Sequence, residues 1–220
     1  MDLREIVDYW LLCFVSIFAV VNPLRAAEAF HRSFDGVSPA EARRAARTAV
    51  LVAFAVLFPA AWVGNHLIAF SGIRVGGFRV AACVLILAWV ARDLLRDHPW
   101  PASTPAPAVS DAASPQEKAV VPFGIPLLAG APSIATVTLY SGETHELWRR
   151  LVTIAALAVT LGATWVALAA ARHLVRALGS NGIRYITHAM GLTIAAWCVD
   201  FIATGIRDLL PLILQTPPAQ

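Results

Sequence analysis

The chain has 220 residues, of which 58% are hydrophobic and only 14% are charged, and its formal net charge is +3. A soluble domain is about 45–50% apolar and about 25% charged. The composition therefore excludes a disordered chain and a disulfide-rich scaffold, and it argues against an ordinary water-soluble enzyme. The apolar residues come in blocks of about 20, the length of helix that crosses about 30 Å of hydrocarbon. The sequence predicts an integral membrane protein that crosses the bilayer several times.

Six apolar segments are long enough to be transmembrane helices. Each is expected to be helical except where it lines protein or water, because lipid offers no partner to an unpaired backbone group. In chain order, the segments cover residues 6–30, 48–70, 75–91, 119–140, 151–171 and 185–206. Ala27-Glu28-Ala29 in the first segment resembles a signal-peptide cleavage site, but the acidic residues before this segment favour a retained helix.

The basic residues of the loops predict an orientation in the membrane. Lys and Arg are more frequent in the loops after the first, third and fifth segments than in the other loops and at the termini. Most of this excess comes from Arg43, Arg44 and Arg47. Since cytoplasmic loops carry the excess of basic residues, we expect a bacterial inner-membrane protein with both termini outside, in the periplasm.

A change in composition divides the chain into two halves. Residues 97–118 are rich in Pro, Ala and Ser, as is typical of a solvated, extended linker, which we expect on the cytoplasmic side. The linker separates a first three-helix half, residues 1–96, from a second three-helix half, residues 119–220. Because each half has an odd number of spans, the halves enter the bilayer from opposite sides, and any repeat between them is inverted.

Prolines interrupt the first and fourth segments at corresponding positions, in Asn22-Pro23-Leu24 and in Ile125-Pro126-Leu127. A proline inside a helix removes one hydrogen bond and clashes with the preceding turn, so both helices are expected to break near the midplane. Paired interruptions in two inverted halves are typical of transporters that bind solute or ion at the exposed backbone groups. A simple kink is the alternative, since Pro and Gly are common in membrane helices.

These motifs resemble those of the MarC family of bacterial inner-membrane proteins, which is related to a small neutral amino acid transporter. The matching segments are NPLRAAEAF, FRVAAC, IPLLAGAPSIATV and AMGLTIAAWCVDFIATGI. The resemblance implies an all-α fold of six transmembrane helices in two inverted three-helix repeats. Charged residues replace the small, proline and amide residues of the family pattern at Arg25, Glu28 and Asp200, which argues against carrying over a neutral amino acid as the substrate.

The residues expected at a solute site lie at the two interruptions and on the sixth segment. A charge in the bilayer costs at least about 2.5 kcal/mol, so Arg25, Glu28 and Asp200 should be paired or face a polar cavity. Arg25 is the candidate for binding a carboxylate or phosphate of the solute, and it is also the candidate partner of Asp200. Glu28 or Asp200 is the candidate for a counter-charge or a proton carrier. The alternative is that Arg25 and Glu28 extend to the cytoplasmic interface. The full candidate set is Asn22, Pro23, Arg25, Glu28, Pro126, Gly130, Ser133, Thr136 and Asp200.

The sequence favours a secondary transporter or exporter of a small polar metabolite such as an amino acid. A proton or sodium gradient would drive it, because the chain has no Walker motif. HExxH and GxSxG motifs are also absent, and the cysteines have no metal-ligand spacing, so we expect no enzyme, metal or cofactor. A non-transporting regulatory or assembly protein is the alternative. The expected partners are the solute, a proton or sodium ion and the lipid bilayer, and no nucleic acid is expected. The sequence is compatible with a homo-oligomer and does not determine the oligomeric state.

Overall fold

The computed structural model describes residues 2–95, 114–142 and 147–215, and within these ranges it contains helices and short turns but no strand. The helices are α1 (Leu3–Val21), α2 (Pro23–Ser33), α3 (Pro39–Phe70), α4 (Val75–Leu95), α5 (Pro115–Lys118), α6 (Ala131–Gly142), α7 (Leu147–Ala169) and α8 (Ala171–Gln215). An irregular helical segment, Ala119–Leu128, joins α5 to α6.

Five to six candidate membrane spans are present among the described residues. Leu3–Ser33, which joins α1 and α2, counts as one span, and α3, α4, α7 and α8 each contribute another. The bent pair Pro115–Leu128 and Ala131–Ser141 makes a sixth if it is a single span. The prediction of an all-helical, multi-pass membrane protein is therefore confirmed.

Local capping explains where α3 and α5 begin, each of them ahead of an apolar segment. At α3, the Ser38 hydroxyl accepts a hydrogen bond from the Glu41 N–H at 3.3 Å, and Pro39 occupies the first helical position. At α5, Ser114 and Glu117 cap each other's backbone in the same way. The predicted linker thus ends in a capped helix, while its first part, residues 97–113, lies outside the described residues.

Helices of the first half pack mainly on helices of the second half. The helix α1 lies along α7, and α3 lies along α6 and the irregular segment before it. Tyr9 contacts Trp148, with ring centroids 5.7 Å apart, and the Cys13 sulfur lies 3.7 Å from the Thr153 hydroxyl. From the first contact to the second, the residue number rises in both helices, so α1 and α7 run in the same direction. One buried apolar core is therefore shared by the two halves.

The helices α4 and α8 form a close antiparallel pair. A Cβ atom added to Gly76 would lie only 2.9 Å from the carbonyl oxygen of Gly205, and Gly191 lies against Val90 near the other end of the pair. Small residues at the crossing let two membrane helices approach closely. A second apolar cluster, which includes Ile86 and Ile194, fills this contact.

The last helix is longer than the sixth apolar segment. The sequence places a span at residues 185–206, whereas α8 runs from Ala171 to Gln215 with one non-helical residue, Gly179. Gly179 has φ 64° and ψ 164°, a conformation that glycine adopts readily because it lacks a Cβ atom. Hydropathy predicts only the apolar part of the helix that would lie in lipid. It does not predict the helical turns that continue on either side of that part.

Candidate functional site

Asn22 interrupts the first span. Its backbone is left-handed, with φ 51° and ψ 70°, a conformation that asparagine tolerates better than most residues with a side chain. Its N–H donates to the Phe18 carbonyl at 2.9 Å, and its side-chain oxygen accepts from the Arg25 N–H at 3.2 Å. Pro23 then occupies the first position of α2. A single residue thus ends α1 and caps α2.

The same arrangement removes helical donors from carbonyl groups at the end of α1. Pro23 has no N–H that could donate to the Ala19 carbonyl, and the Arg25 N–H donates to the Asn22 side chain instead of to the Val21 carbonyl. Ala19 and Val21 are both buried. Buried carbonyl groups of this kind are able to accept a hydrogen bond from a solute or to bind a small cation.

The bent pair Pro115–Leu128 and Ala131–Ser141 departs from regular helix over a longer stretch than the first span does. Val121 and Ile125 have extended backbone conformations, and each precedes a cis-proline, Pro122 or Pro126. A residue before proline is sterically driven away from the helical region, so the sequence itself accounts for both extended residues. The Ala129 N–H donates to the Gly124 carbonyl at 3.1 Å. The axis bends by 53° between Pro115–Leu128 and Ala131–Ser141.

A small cavity lies beside both interrupted spans, between α1, α4, α6 and α8. Its free volume of about 10 Å³ is close to the space that one water molecule requires. The described conformation therefore has no room for an amino acid in this cavity. Its walls are apolar and aromatic side chains, two thiols and one threonine: Val20, Cys83, Ile86, Thr136, Leu139, Tyr140, Ile194, Trp197, Cys198 and Phe201.

Four of the predicted site residues lie together at the first interruption. Asn22 and Pro23 are buried, whereas Arg25 and Glu28 are partly buried on α2. Glu28 forms an ion pair with Arg32 one turn later on the same helix. Arg32 is exposed, so the charges of α2 extend from the interruption towards the surface.

Four further candidates belong to the fourth span. Pro126 lies in the irregular segment and Gly130 directly before α6, and a Cβ atom at Gly130 would lie 2.5 Å from the Pro126 carbonyl oxygen. Ser133 and Thr136 are buried on α6. The Thr136 hydroxyl donates to the Pro132 carbonyl at 2.9 Å, and the residue also lines the cavity.

Asp200 does not lie with the other candidates. It is exposed on α8, and its neighbour Phe201 packs on Tyr140, whose hydroxyl donates to Ser16. No ion pair between Asp200 and Arg25 occurs in the described part of the chain.

Two arrangements were not predicted from the sequence. Arg79, buried at the start of α4, binds Asp208 of α8 with 2.8 Å between nitrogen and oxygen. Tyr140, at the end of α6, donates to Ser16 of α1 at 2.9 Å. Each pair joins residues more than a hundred positions apart. No short sequence pattern signals either pair, because only the packing of the helices brings the partners together.

Comparison with known proteins assigns the family. The model of the MarC family, described as MarC family integral membrane protein, matches residues 7–210. No solved structure matches the chain. Among similar sequences, the UPF0056 membrane protein MJ1677 of Methanocaldococcus jannaschii is 31% identical, over 96% of this chain and 100% of the relative. The Escherichia coli protein YhcE is 27% identical, over 92% and 94% of the two chains. The chain therefore belongs to the MarC family of integral membrane proteins.

Proposed function

We propose that the protein is a secondary transporter of a small polar solute such as an amino acid, driven by a proton or sodium gradient. The observation that carries the proposal is the pair of interruptions, one in the first span of each half. The first leaves the carbonyls of Ala19 and Val21 without helical donors inside the bundle. Transporters bind solutes and ions at unwound backbone of this kind, at the interface between their two repeats.

The packing between the halves supports an inverted repeat. The first span packs on the fifth, as α1 on α7, and the fourth packs on the second, as α6 on α3. In an inverted repeat, the first, second and third spans correspond to the fourth, fifth and sixth. Exchanging the two halves therefore turns the α1–α7 contact into the α6–α3 contact, and the reverse. It likewise converts the contact of α1 with α8 into that of α4 with α6, and it leaves the α4–α8 pair unchanged. A two-fold axis in the membrane plane, as in inverted-repeat transporters, produces this pattern.

A change of conformation is part of the proposal, because the cavity beside α1 and α6 holds about one water molecule. Movement of one group of helices against the other, as in alternating access, would enlarge it and expose it first to one side of the membrane and then to the other. The described conformation then corresponds to a closed state of the transport cycle.

The residues of α2 are proposed to recognise the charged part of the solute. Arg25 is partly buried three residues after the interruption, where its guanidinium group would bind a carboxylate or phosphate. Glu28, which pairs with Arg32, is the proposed proton carrier. Asp200 is exposed on α8 and forms no ion pair with Arg25 among the described residues, so it is not assigned to the recognition of this charge.

The test is counterflow in proteoliposomes, with a panel of labelled amino acids under imposed proton and sodium gradients. We expect uptake of at least one solute, and we expect Arg25→Gln to raise its KM with little change in the maximal rate. Arg176→Gln is the matched control, since Arg176 is exposed on α8 and lies outside the proposed site. Transport with unchanged affinity in Arg25→Gln would remove the binding role of Arg25.

The second candidate function is a non-transporting regulatory or assembly protein. The small volume of the cavity favours it, because the described conformation offers a solute no space. The two candidates differ in their need for the fourth-span prolines. If the protein is folded and moves no solute of the panel, and if Pro122→Ala and Pro126→Ala leave the cellular phenotype unchanged, transport is wrong and the second candidate stands.

The proposal places the protein in the bacterial inner membrane with both termini in the periplasm. In this orientation the exposed Arg43, Arg44 and Arg47 near the start of α3 face the cytoplasm, as the distribution of basic residues in membrane proteins requires. Alkaline phosphatase fused to the C-terminus should be active, because it folds outside the cytoplasm. An inactive fusion together with a fluorescent cytoplasmic reporter at the same position would reverse the orientation.

A further inference from the structure

Five aromatic residues from four helices pack together where α1 begins and α6 ends. We call this cluster the aromatic plug, and it consists of Tyr9, Tyr140, Trp148, Trp197 and Phe201. Tyr140 lies in its middle, with ring centroids 4.9 Å from Trp197, 6.0 Å from Phe201 and 6.2 Å from Tyr9. Trp148 packs on the far side of Tyr9. The plug thus connects α6 with α1, α7 and α8.

Hydrogen bonds tie Tyr140 to α1 at two points. The Tyr9 hydroxyl donates to the Tyr140 carbonyl at 2.9 Å, and the Tyr140 hydroxyl donates to the Ser16 hydroxyl, also at 2.9 Å. Ser16 in turn donates to the Leu12 carbonyl of its own helix. Both tyrosines are buried, so these bonds determine how closely the end of α6 is held to α1.

One side of the plug is a wall of the cavity. Tyr140, Trp197 and Phe201 line it, together with the thiols of Cys83 and Cys198. Cys13 is also buried, but it lies between α1 and α7 against Thr153 and does not line the cavity. The chain therefore carries two native cysteines at the cavity and one away from it.

The other side of the plug is covered by two ion pairs that reach the surface. The Arg149 guanidinium lies 5.2 Å from the Tyr9 ring centroid and 3.6 Å from a carboxylate oxygen of Glu5, whose side chain is 52% exposed. The Arg79 guanidinium lies 5.7 Å from the Phe201 ring centroid and pairs with Asp208, whose side chain is 51% exposed. Tyr9 and Phe201 of the plug thus contact charged groups with exposed partners, while Tyr140, Trp197 and Phe201 line the cavity.

We infer that Tyr140 is a gate residue that closes the cavity towards the face carrying Glu5 and Asp208. Opening the gate breaks the two hydrogen bonds from Tyr9 to Tyr140 and from Tyr140 to Ser16. Both bonds join uncharged groups, and such bonds exchange for bonds with water at small net cost. The inference rests on the proposed transport function, in which the closed cavity must open to one side during each cycle.

The test measures how fast a membrane-impermeant thiol reagent reaches the cavity. The reagent is added to the periplasmic side of cells that express the Cys13→Ala protein, and modification of Cys83 and Cys198 is followed by mass spectrometry. Tyr140→Phe and Tyr9→Phe each remove one hydroxyl and keep the ring. We expect about two- to tenfold faster modification in each, the factor that corresponds to the loss of one uncharged hydrogen bond.

Tyr185→Phe is the matched control, because Tyr185 is exposed and outside the plug, and modification in this variant should stay at the parent rate. Thermal unfolding of the purified variants confirms that they are folded. Tyr140→Ala removes the ring as well and should accelerate modification further. Unchanged modification in folded Tyr140→Phe, Tyr9→Phe and Tyr140→Ala proteins would overturn the gate.

Modification and transport are separate readouts. Faster modification of the cavity cysteines supports the gate even if no solute of the panel moves, in which case the proposed function fails and the gate stands. Transport with unchanged modification rates in the same variants has the opposite meaning: the proposed function holds, and Tyr140 does not close the cavity.

Discussion

Regular helix stops at Asn22 and again between Ala119 and Leu128, but for different physical reasons. At Asn22, one left-handed residue ends a helix and its side chain caps the next helix, and Leu3–Ser33 still forms one candidate span. Between Ala119 and Leu128, two extended residues before prolines redirect the chain, and α6 leaves at 53°. The first interruption is small and depends on hydrogen bonds, whereas the second is long and depends on steric restrictions of the backbone.

The surroundings of the two interruptions differ in the same way. Asn22 is followed by the partly buried charges of Arg25 and Glu28. At the second interruption, Gly124 lies against Val52 and the Ala49 carbonyl of α3. The first interruption should therefore respond mainly to the loss of polar groups, and the second mainly to added volume.

The largest effect is expected at Asn22. In Asn22→Ala the helix α2 loses its cap, which lowers the free energy of unfolding by about 0.5–2 kcal/mol. The alanine must also adopt the left-handed conformation, which costs about 1–2 kcal/mol more. Asn22→Gly loses only the cap, since glycine adopts positive φ without strain. Thermal unfolding in detergent should rank the proteins parent, Gly, Ala in falling stability. An alanine variant as stable as the parent would show that the first interruption does not depend on the asparagine.

A somewhat smaller loss is expected when volume is added to the second interruption. The Cβ atom of Gly124→Ala would lie 2.7 Å from a methyl carbon of Val52 and 3.3 Å from the Ala49 carbonyl oxygen. Overpacking of this kind costs about 1–3 kcal/mol. Gly162→Ala on α7 is the control, because no atom lies within 4 Å of its added Cβ. Equal unfolding temperatures for the two variants would contradict the tight packing of the segment on α3.

The smallest effect is expected for the ion pair after the first interruption. Arg32 is 46% exposed at its side chain and Glu28 15%, and exposed ion pairs contribute about 0–1 kcal/mol. A double-mutant cycle with Arg32→Gln and Glu28→Gln should give a coupling energy within that range. A coupling well above it would contradict the exposed character of this ion pair.

Much of the fold follows from local properties of the sequence. Bilayer thickness fixes the length of an apolar span, and the apolar segments correspond to the candidate spans. The conformations at Asn22 and before Pro126 likewise follow from residues that are adjacent in the chain. The helical ends of α8 were not predicted, because the helix continues where hydropathy falls.

The faces of the helices could not be predicted in the same way. Lipid and protein interior are both apolar, so hydropathy alone does not show which side of a membrane helix is buried. Asp200 was expected to need a partner, yet it is exposed on α8. No local pattern around Arg79 signals a partner, yet it is buried and paired with Asp208. The Arg79–Asp208 pair depends on the contact between α4 and α8, which belong to different halves.

The mutual packing of the halves has a consequence for how the protein is made. The neighbours of α1 and α3 are α7 and α6, which the ribosome synthesises later. The first three spans therefore enter the membrane before the surfaces that cover them exist, and the core closes only after translation has passed α7. Two genes, each encoding one half, should yield a folded protein only when both are expressed in the same cell.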